Sequence, residues 1–477
     1  MIQIMKLARK LYKRNYNDRV KRKSNVFMIL NSIKLTFNAT PENMKASSRD
    51  HGCQQAMVQW KPRQPHTRMA NRKYAAAMSM STYKRNSKSS AVGQALLDAG
   101  ADPNKPVEDG KTPLHMAAFD RQPSAMLQSL LDGGADPNAR DKGGFTPLHD
   151  VAAHRKTRAV VQTLLDGGAD PNARAEDGRT PLHTAAGLSE TPAVVKTLLD
   201  AGADLNARDK HGFTPLCWAA MCSKTPAVVK ALLDGGADPN ARNEDGWIPL
   251  YVAASKSETP AVVQALLGAG ADPNARDEFG FTPLCWAATR TKTPAVVQAL
   301  LDAGADPNAR NEHGFTPFHW VAGLSKTPAV VQALLDGGAD PNARDTDGAT
   351  PLHWVAKSSK TPAVVKALLD AGADLNARDK CGFTPLHWAA DFSKTPVVVQ
   401  ALLDAGADPN TRNERGATPL HWAAGLSETP AVVKVLLDAG ADLNARDEDG
   451  KTALDLIPDD SPLRGTDVYK QLNDARF

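Results

Sequence analysis

Residues 277–308 read DEFGFTPLCWAATRTKTPAVVQALLDAGADPN. The opening Asp277-Glu278-Phe279-Gly280 predicts a tight turn, with Gly280 free to take a conformation that is costly for other residues. Thr282-Pro283 then opens a short helix, with Thr as the N-cap and Pro at the first position. Along it Leu284, Ala287 and Ala288 fall at i, i+3 and i+4 and make one narrow apolar stripe. A second pair, Thr293-Pro294, starts another helix in which Val297, Leu300 and Leu301 repeat that spacing. Gly304 ends it as a C-terminal glycine, and Ala305-Asp306-Pro307-Asn308 leads into the next turn. Two helices this short cannot bury their stripes alone, so neighbours must stack on them.

The neighbours are in the sequence. Gly-Ala-Asp-(Pro/Leu)-Asn begins at Gly100 and returns every 34 residues as far as Gly440. A second ladder, Thr-Pro-Leu-His or a near variant, runs in the same step from Thr112 to Thr452, with Ile248 in place of one Thr. Two ladders in register over this length define a tandem array.

The pattern D-x-x-G-x-T-P-L-H-x-A-A, a Val-Val-x-x-Leu-Leu helix and G-A-D-x-N resembles the ankyrin repeat. The resemblance implies an all-α ankyrin-repeat solenoid, helix-turn-helix plus a β-hairpin-like turn per unit, over residues 89–477. Within it a half-repeat spans 89–106, ten full repeats span 107–446, and a capping repeat spans 447–477. The units have 34 residues where the family has 33, and the extra one falls between the two helices. The last unit keeps Thr452-Ala453-Leu454, loses Pro and His, and is expected to close with a helix over Thr466–Ala475.

Of 477 residues only 5% are aromatic, while Gly (34) and Pro (33) are abundant as helix stops and starts. The hydrophobic content of 42% is too high for a disordered chain, and no run of apolar residues is long enough to span a membrane. Five scattered cysteines exclude a disulfide framework, so a reducing, cytoplasmic compartment is expected, with organelle targeting or secretion as alternatives. The net charge of +4 averages two unlike parts: residues 1–90 carry 20 Lys/Arg against three acids, a net of +17, and the remainder carries −13.

Differences between units show which positions the scaffold leaves free. At the hairpin tip, between Gly and Thr, stand Phe145, Phe213, Trp247, Phe281, Phe315 and Phe383, with Lys, Arg or Ala in other units. Turn chemistry does not demand aromatics there; they read as a row of partner contacts or as hairpins stacking on one another. After the His position come Trp218, Trp286, Trp320, Trp354, Trp388 and Trp422, about 200° around the helix from the preceding Leu and so turned from the core stripe. They read as packing between adjacent inner helices or as ligand contacts. The pair closing the first helix is the most varied and includes Arg290 and Phe392; drift at a tolerant surface is the alternative to partner contact.

Catalytic readings fail. His115, His149, His183, His319, His353, His387 and His421 form a ladder, but copies one repeat apart lie about 10 Å from each other, and zinc needs ligands near 2 Å. The resemblance gives these histidines a structural role, hydrogen bonding to neighbouring loops, which Cys217, Cys285 and Tyr251 put in doubt in three units. Cys217 and Cys222 lack metal-ligand spacing, and no phosphate loop, dinucleotide fingerprint or hydrolase motif occurs. No enzyme, metal or cofactor is expected. Residues 1–88 lack the repeat and are expected to be an irregular, disordered basic segment. Their alternatives are electrostatic attachment to nucleic acid or an anionic membrane surface, a presequence, or a misassigned start. The sequence therefore predicts a non-catalytic, monomeric scaffold or adaptor that binds partner proteins along the concave groove. Nucleic-acid or membrane association through 1–88, and a regulatory subunit or secreted host-directed effector, are the alternatives.

Overall fold

A computed structural model describes residues 100–474, except 107–108, 120–123 and the short links at 154–157, 190, 223–225, 257–259, 291–292, 325–327, 359–361, 393–395 and 427–429. These residues all belong to the compact unit Lys73–Phe477. The expectations for 1–88, and for the first half-repeat as far as residue 99, lie outside them.

The described residues hold 21 α-helices and no strand, in pairs such as Pro283–Arg290 and Pro294–Asp302. Each first, inner helix packs on the inner helices before and after it, and each outer helix does the same in a second row. The inner row is the closer-packed, because Ala287 and Ala288 and their equivalents present only a methyl group to the neighbour. Leu284, Ala287 and Ala288 are fully buried, as are Val296, Val297 and Leu300 of the outer helix.

Glycine sets both ends of the connection. Gly304 has φ +84, its amide donates to Leu301 O and that of Ala305 to Leu300 O, so the last carbonyls of the outer helix are used. In the tip turn Gly178 has φ +80, and a Cβ there would stand 2.8 Å from Lys210 N of the next hairpin. That close approach allows a hydrogen bond from one hairpin to the next, Lys210 N to Asp177 O at 2.8 Å.

Two polar ladders stitch the loops on the exposed side. Asn138 donates from Nδ2 to Gly168 O (2.9 Å) and accepts from Asp170 N (2.7 Å), and Asn104, Asn274 and Asn308 do the same in their units. Each Arg of the Asn-Ala-Arg run reaches the carbonyl of the next, as Arg208 does to Arg242 O at 2.6 Å and Arg242 to Arg276 O at 2.7 Å. In the terminal unit Asp455 stands where others have His; Thr452 N and Oγ1 both donate to it at 2.9 Å. The closing helix runs Asp467–Asp474, with Val468 and Leu472 buried and its other face polar.

Candidate functional site

The histidines come first, because they position the hairpins. In each of the seven units Nδ1 accepts from the backbone N–H of the capping Thr three residues back, at 3.1–3.2 Å. Nε2 lies 3.0–3.2 Å from the carbonyl 30 residues on, at the tip of the next hairpin. An accepting Nδ1 leaves the proton on Nε2, which donates to that carbonyl, so the geometry fits the neutral ring only. Burial accordingly presses His149, His319 and His387 down to about 4, and lowers His115, His183 and His353 as well. Among the described residues no group of three His, Cys, Asp or Glu could hold a metal.

The three exceptions differ from one another. Tyr251 spans the gap, its hydroxyl 2.7 Å from Phe281 O and 2.6 Å from Ala275 O. Cys217 and Cys285 reach only the capping Thr214 and Thr282, at 3.5 Å, and burial pushes both thiols up to about 11. They are inert as nucleophiles.

The variable aromatics meet on the face turned from the core stripe. Four of the tip rings pack on the Trp of their own unit or of the next, while Phe145 packs edge-on against His149. Trp247 lies 4.9 Å from Trp286, Phe281 4.8 Å from Trp320, Phe315 5.1 Å from Trp354, and Phe383 4.9 Å from Trp422. Phe281–Trp286, Phe315–Trp320, Trp354–Trp388 and Trp388–Phe392 complete a continuous chain of rings from Trp247 to Phe392. Phe213, Trp247, Phe383 and Trp354 are buried within this packing, whereas Phe145, Phe281, Phe315, Trp218, Trp286, Trp320, Trp388, Trp422, Arg290 and Phe392 are half-buried. The half-buried rings are the part of the row that a ligand can touch without unfolding a hairpin.

Four contributors to this face were marked in the sequence only by the exchange of Asp for Asn at their turn position in other units. The first turn residue of several units, read there only as turn chemistry, accepts from Trp Nε1 nine residues on: Asp209 from Trp218 (2.9 Å), Asp277 from Trp286 (3.3 Å), Asp345 from Trp354 (3.1 Å) and Asp379 from Trp388 (3.1 Å). The price is desolvation, which lifts the Asp277 carboxyl to about 6 and raises Asp345 too. Units with Asn at this position lack that acceptor, and Trp320 Nε1, in the Asn311 unit, has no hydrogen-bond partner. Elsewhere Arg179 replaces a tip aromatic and sits 5.0 Å from the Phe145 ring and 5.2 Å from Trp218. Lys357 lies over three rings, 4.3 Å from Phe392 and 5.4 Å from both Trp354 and Trp388. Lys111 and Asp150 pair at 3.3 Å between the first two described units.

Helix pairs stacked in two rows, with tip turns projecting from one edge, define a helical repeat solenoid. The chain belongs to the ankyrin repeat family: models of ankyrin repeats (3 copies) match residues 77–175, 150–243, 218–311, 250–345 and 318–413, and one of ankyrin repeats (many copies) matches 402–457. Modules of this family mediate protein binding and are generally non-catalytic. The crystal structure of the ankyrin repeat domain of Bcl-3, a unique member of the IkappaB protein family, is similar at 31% identity and a TM-score of 0.40. That similarity covers 48% of this chain and 100% of the other. No curated protein matches the chain.

Proposed function

We propose that the array is a non-catalytic scaffold that holds a partner protein along the face formed by the hairpin tips and inner helices. One observation carries this reading: the chain of rings from Trp247 to Phe392 lies on the side away from the core stripe, and its half-buried members, Phe281, Trp286, Phe315, Trp320, Trp388 and Phe392, keep part of their surface in solvent. Aromatic side chains of this kind concentrate binding energy, since they bring a large rigid surface at small entropic cost.

The test separates contact from packing. Phe213, Trp247 and Phe383 are buried, so truncating them loosens hairpins whatever the partner does. Trp286→Ala with Trp320→Ala removes half-buried rings instead. Partners captured by the full chain and identified by mass spectrometry should be lost with this pair, while the helical circular-dichroism signal stays at its wild-type value. Capture that is unchanged by the pair sinks the proposal.

A further inference from the structure

We propose that Cys217 and Cys285 make two release points in the array, at which hairpins 243–247 and 311–315 swing away from the preceding unit while the hairpins around them stay closed. Release itself is independent of the groove-binding reading above; only its effect on a partner rests on that reading.

Two bonds tie a hairpin to the unit before it. One runs from His Nε2 to the hairpin's last carbonyl, as from His183 to Phe213 O at 3.0 Å. The other joins the tips, and seven of the described junctions make it, from Lys142 N to Asp109 O (3.1 Å) through Glu448 N to Arg415 O (2.9 Å). Among the described hairpins, 243–247 and 311–315 lack both. Cys217 and Cys285 stand where the histidines would be, and each Sγ stops 3.5 Å from its own capping Thr hydroxyl. Neither Glu244 N nor Glu312 N bonds the tip carbonyl of the hairpin before it. At the second junction the tips also stand further apart: a Cβ on Gly280 would lie 3.6 Å from Glu312 N, against 2.8 Å between Gly178 and Lys210 N. Hairpin 277–281, between the two, is held by Tyr251, whose hydroxyl donates to Phe281 O at 2.7 Å.

The closed position also leaves polar groups unmet. Asn243 and Trp247 are more than nine-tenths buried, and Asn243 Nδ2 and Trp247 Nε1 have no hydrogen-bond partner. Trp320 Nε1, opposite Asn311, has none either. A buried donor without an acceptor has lost its hydration for nothing, and opening returns water to it. These two hairpins are thus held by fewer bonds, and solvation favours their release. Hairpin 413–417 separates the two causes. Its Asn413 Nδ2 is likewise unmet, yet His387 bonds Ala417 O (3.1 Å) and Glu414 N bonds Cys381 O (3.1 Å). The cysteines, not the asparagines, decide which hairpins lose their ties.

Each release point carries one aromatic of the ring chain. Trp247 begins the chain and Phe315 stands midway along it, packed on Trp286 and Trp354 of the following units. Release therefore reshapes the chain at its start and its middle, while the Leu and Ala stripes of the inner helices stay buried. On the groove reading, the array fits partner segments of different thickness at these two places and is rigid between them.

The experiment is hydrogen exchange on the full chain, read by mass spectrometry. A short hairpin is marginal by itself in water, so release opens its amides to exchange. Segments 243–247 and 311–315 should exchange about tenfold faster than 209–213, 379–383 and 413–417, the effect of losing ties worth one ordinary hydrogen bond. Cys217→His should slow 243–247 alone, and Cys285→His should slow 311–315 alone, each to the common rate. The reverse change, His353→Cys, should speed 379–383 and leave the other hairpins as they were. Equal exchange of all five segments overturns the proposal. So does fast exchange that persists in both His variants while the rest of the array keeps its protection, or a segment 379–383 that His353→Cys leaves unchanged. Exchange at 413–417 as fast as at 243–247 would assign release to the asparagines and overturn it too. Partner capture plays no part in these readings, so release can fail while the groove reading stands. Unchanged capture in Trp286→Ala with Trp320→Ala sinks the groove reading and leaves the release points in place.

Discussion

The units around residues 111–184 and those around 247–392 share one backbone and line it oppositely. In the first, successive units meet through the Lys111–Asp150 ion pair, Thr184, and the Arg179 guanidinium between Phe145 and Trp218. In the second they meet through eight rings in sequence. Common to both are the buried Leu and Ala stripe, the loop ladders and the histidines. The scaffold is therefore held by what the units share, and the lining is free to change its chemistry without changing the fold. That division can be tested by asking which perturbations strike both regions and which strike one.

The largest effect should ignore the difference between them. His149 belongs to the first region and His319 and His387 to the second and its edge, and burial presses each from 6.5 to about 4. The sign follows from proton binding: a folded-state pKa below the unfolded one means that the unfolded chain takes up more protons between them. The stability supplied by the neutral rings is thus complete above about pH 6.5 and is lost as pH falls toward 4, by about 3 kcal/mol for each ring. Urea midpoints followed by circular dichroism should drop steeply across this window. If only the aromatic region melts early, seen as a Trp fluorescence change that precedes the loss of helix, the shared-ladder account is wrong.

The next effect should be confined to one region. Trp320 touches Phe281 at 4.8 Å and Phe315 at 5.7 Å, so Trp320→Ala removes a contact between two successive hairpins. Full burial of a Trp would make this cost about 3–5 kcal/mol; a half-buried ring should lose about 2 kcal/mol. Thr184→Ala, at the equivalent position of the first region, should cost under about 1 kcal/mol, through its weak bond to Thr180 O at 3.4 Å. Equal losses in chemical denaturation would mean that the rings contribute no more packing than the polar lining does.

Most of the first kind of information was legible in the residues. The step of 34, the Thr-Pro starts and the Gly stops specify where each helix lies, because caps and left-handed glycines are local requirements. The contacts of Phe281 were not legible in that way. A period says which residues occupy equivalent places, but whether the ring at 281 covers Trp320 of the following unit depends on side-chain reach across about 10 Å. The Trp–Asp bonds were closer to the surface of the sequence. Asp277 and Trp286 lie in one unit, and the exchange of Asp for Asn at 243, 311 and 413 was a visible signal, but turn chemistry explains either residue equally well.

A smaller effect should single out the polar region. Lys111→Ala takes away the cation 3.3 Å from Asp150, whose carboxyl is already raised by burial. At neutral pH the variant should lose about 1–2 kcal/mol, because a largely buried carboxylate is left without that charge. Protonation of Asp150 removes the need for a cation, so the loss should shrink as the solution is acidified. A loss that is independent of pH would show that Lys111 acts through its hydrocarbon stem and not through its charge.

The smallest effect distinguishes two kinds of unit within the aromatic region itself. Asn311 Oδ1 accepts from His313 N and Phe315 N, which fixes the amide and turns Nδ2 toward the place where other units offer a carboxylate oxygen. Trp320 Nε1 then has a donor opposite it and no acceptor. Asn311→Asp should restore the bond that Trp286 makes to Asp277, worth about 1 kcal/mol. The cost is visible at Asp277, whose carboxyl burial lifts to about 6. A raised folded-state pKa means the folded protein holds the proton more tightly, so the carboxylate's penalty is absent in acid and appears as pH rises through that value. An ordinary Asp titrates at 3.8 when unfolded, so Asn311→Asp should show its gain below about pH 4 and lose it progressively between about pH 4 and pH 6. Paired thermal melts at about pH 4 and pH 8, where the wild-type difference is subtracted, measure this directly. A gain that grows with pH would mean that the ionised carboxylate is the better partner for Trp320, and that desolvation is not what separates the Asp units from the Asn units.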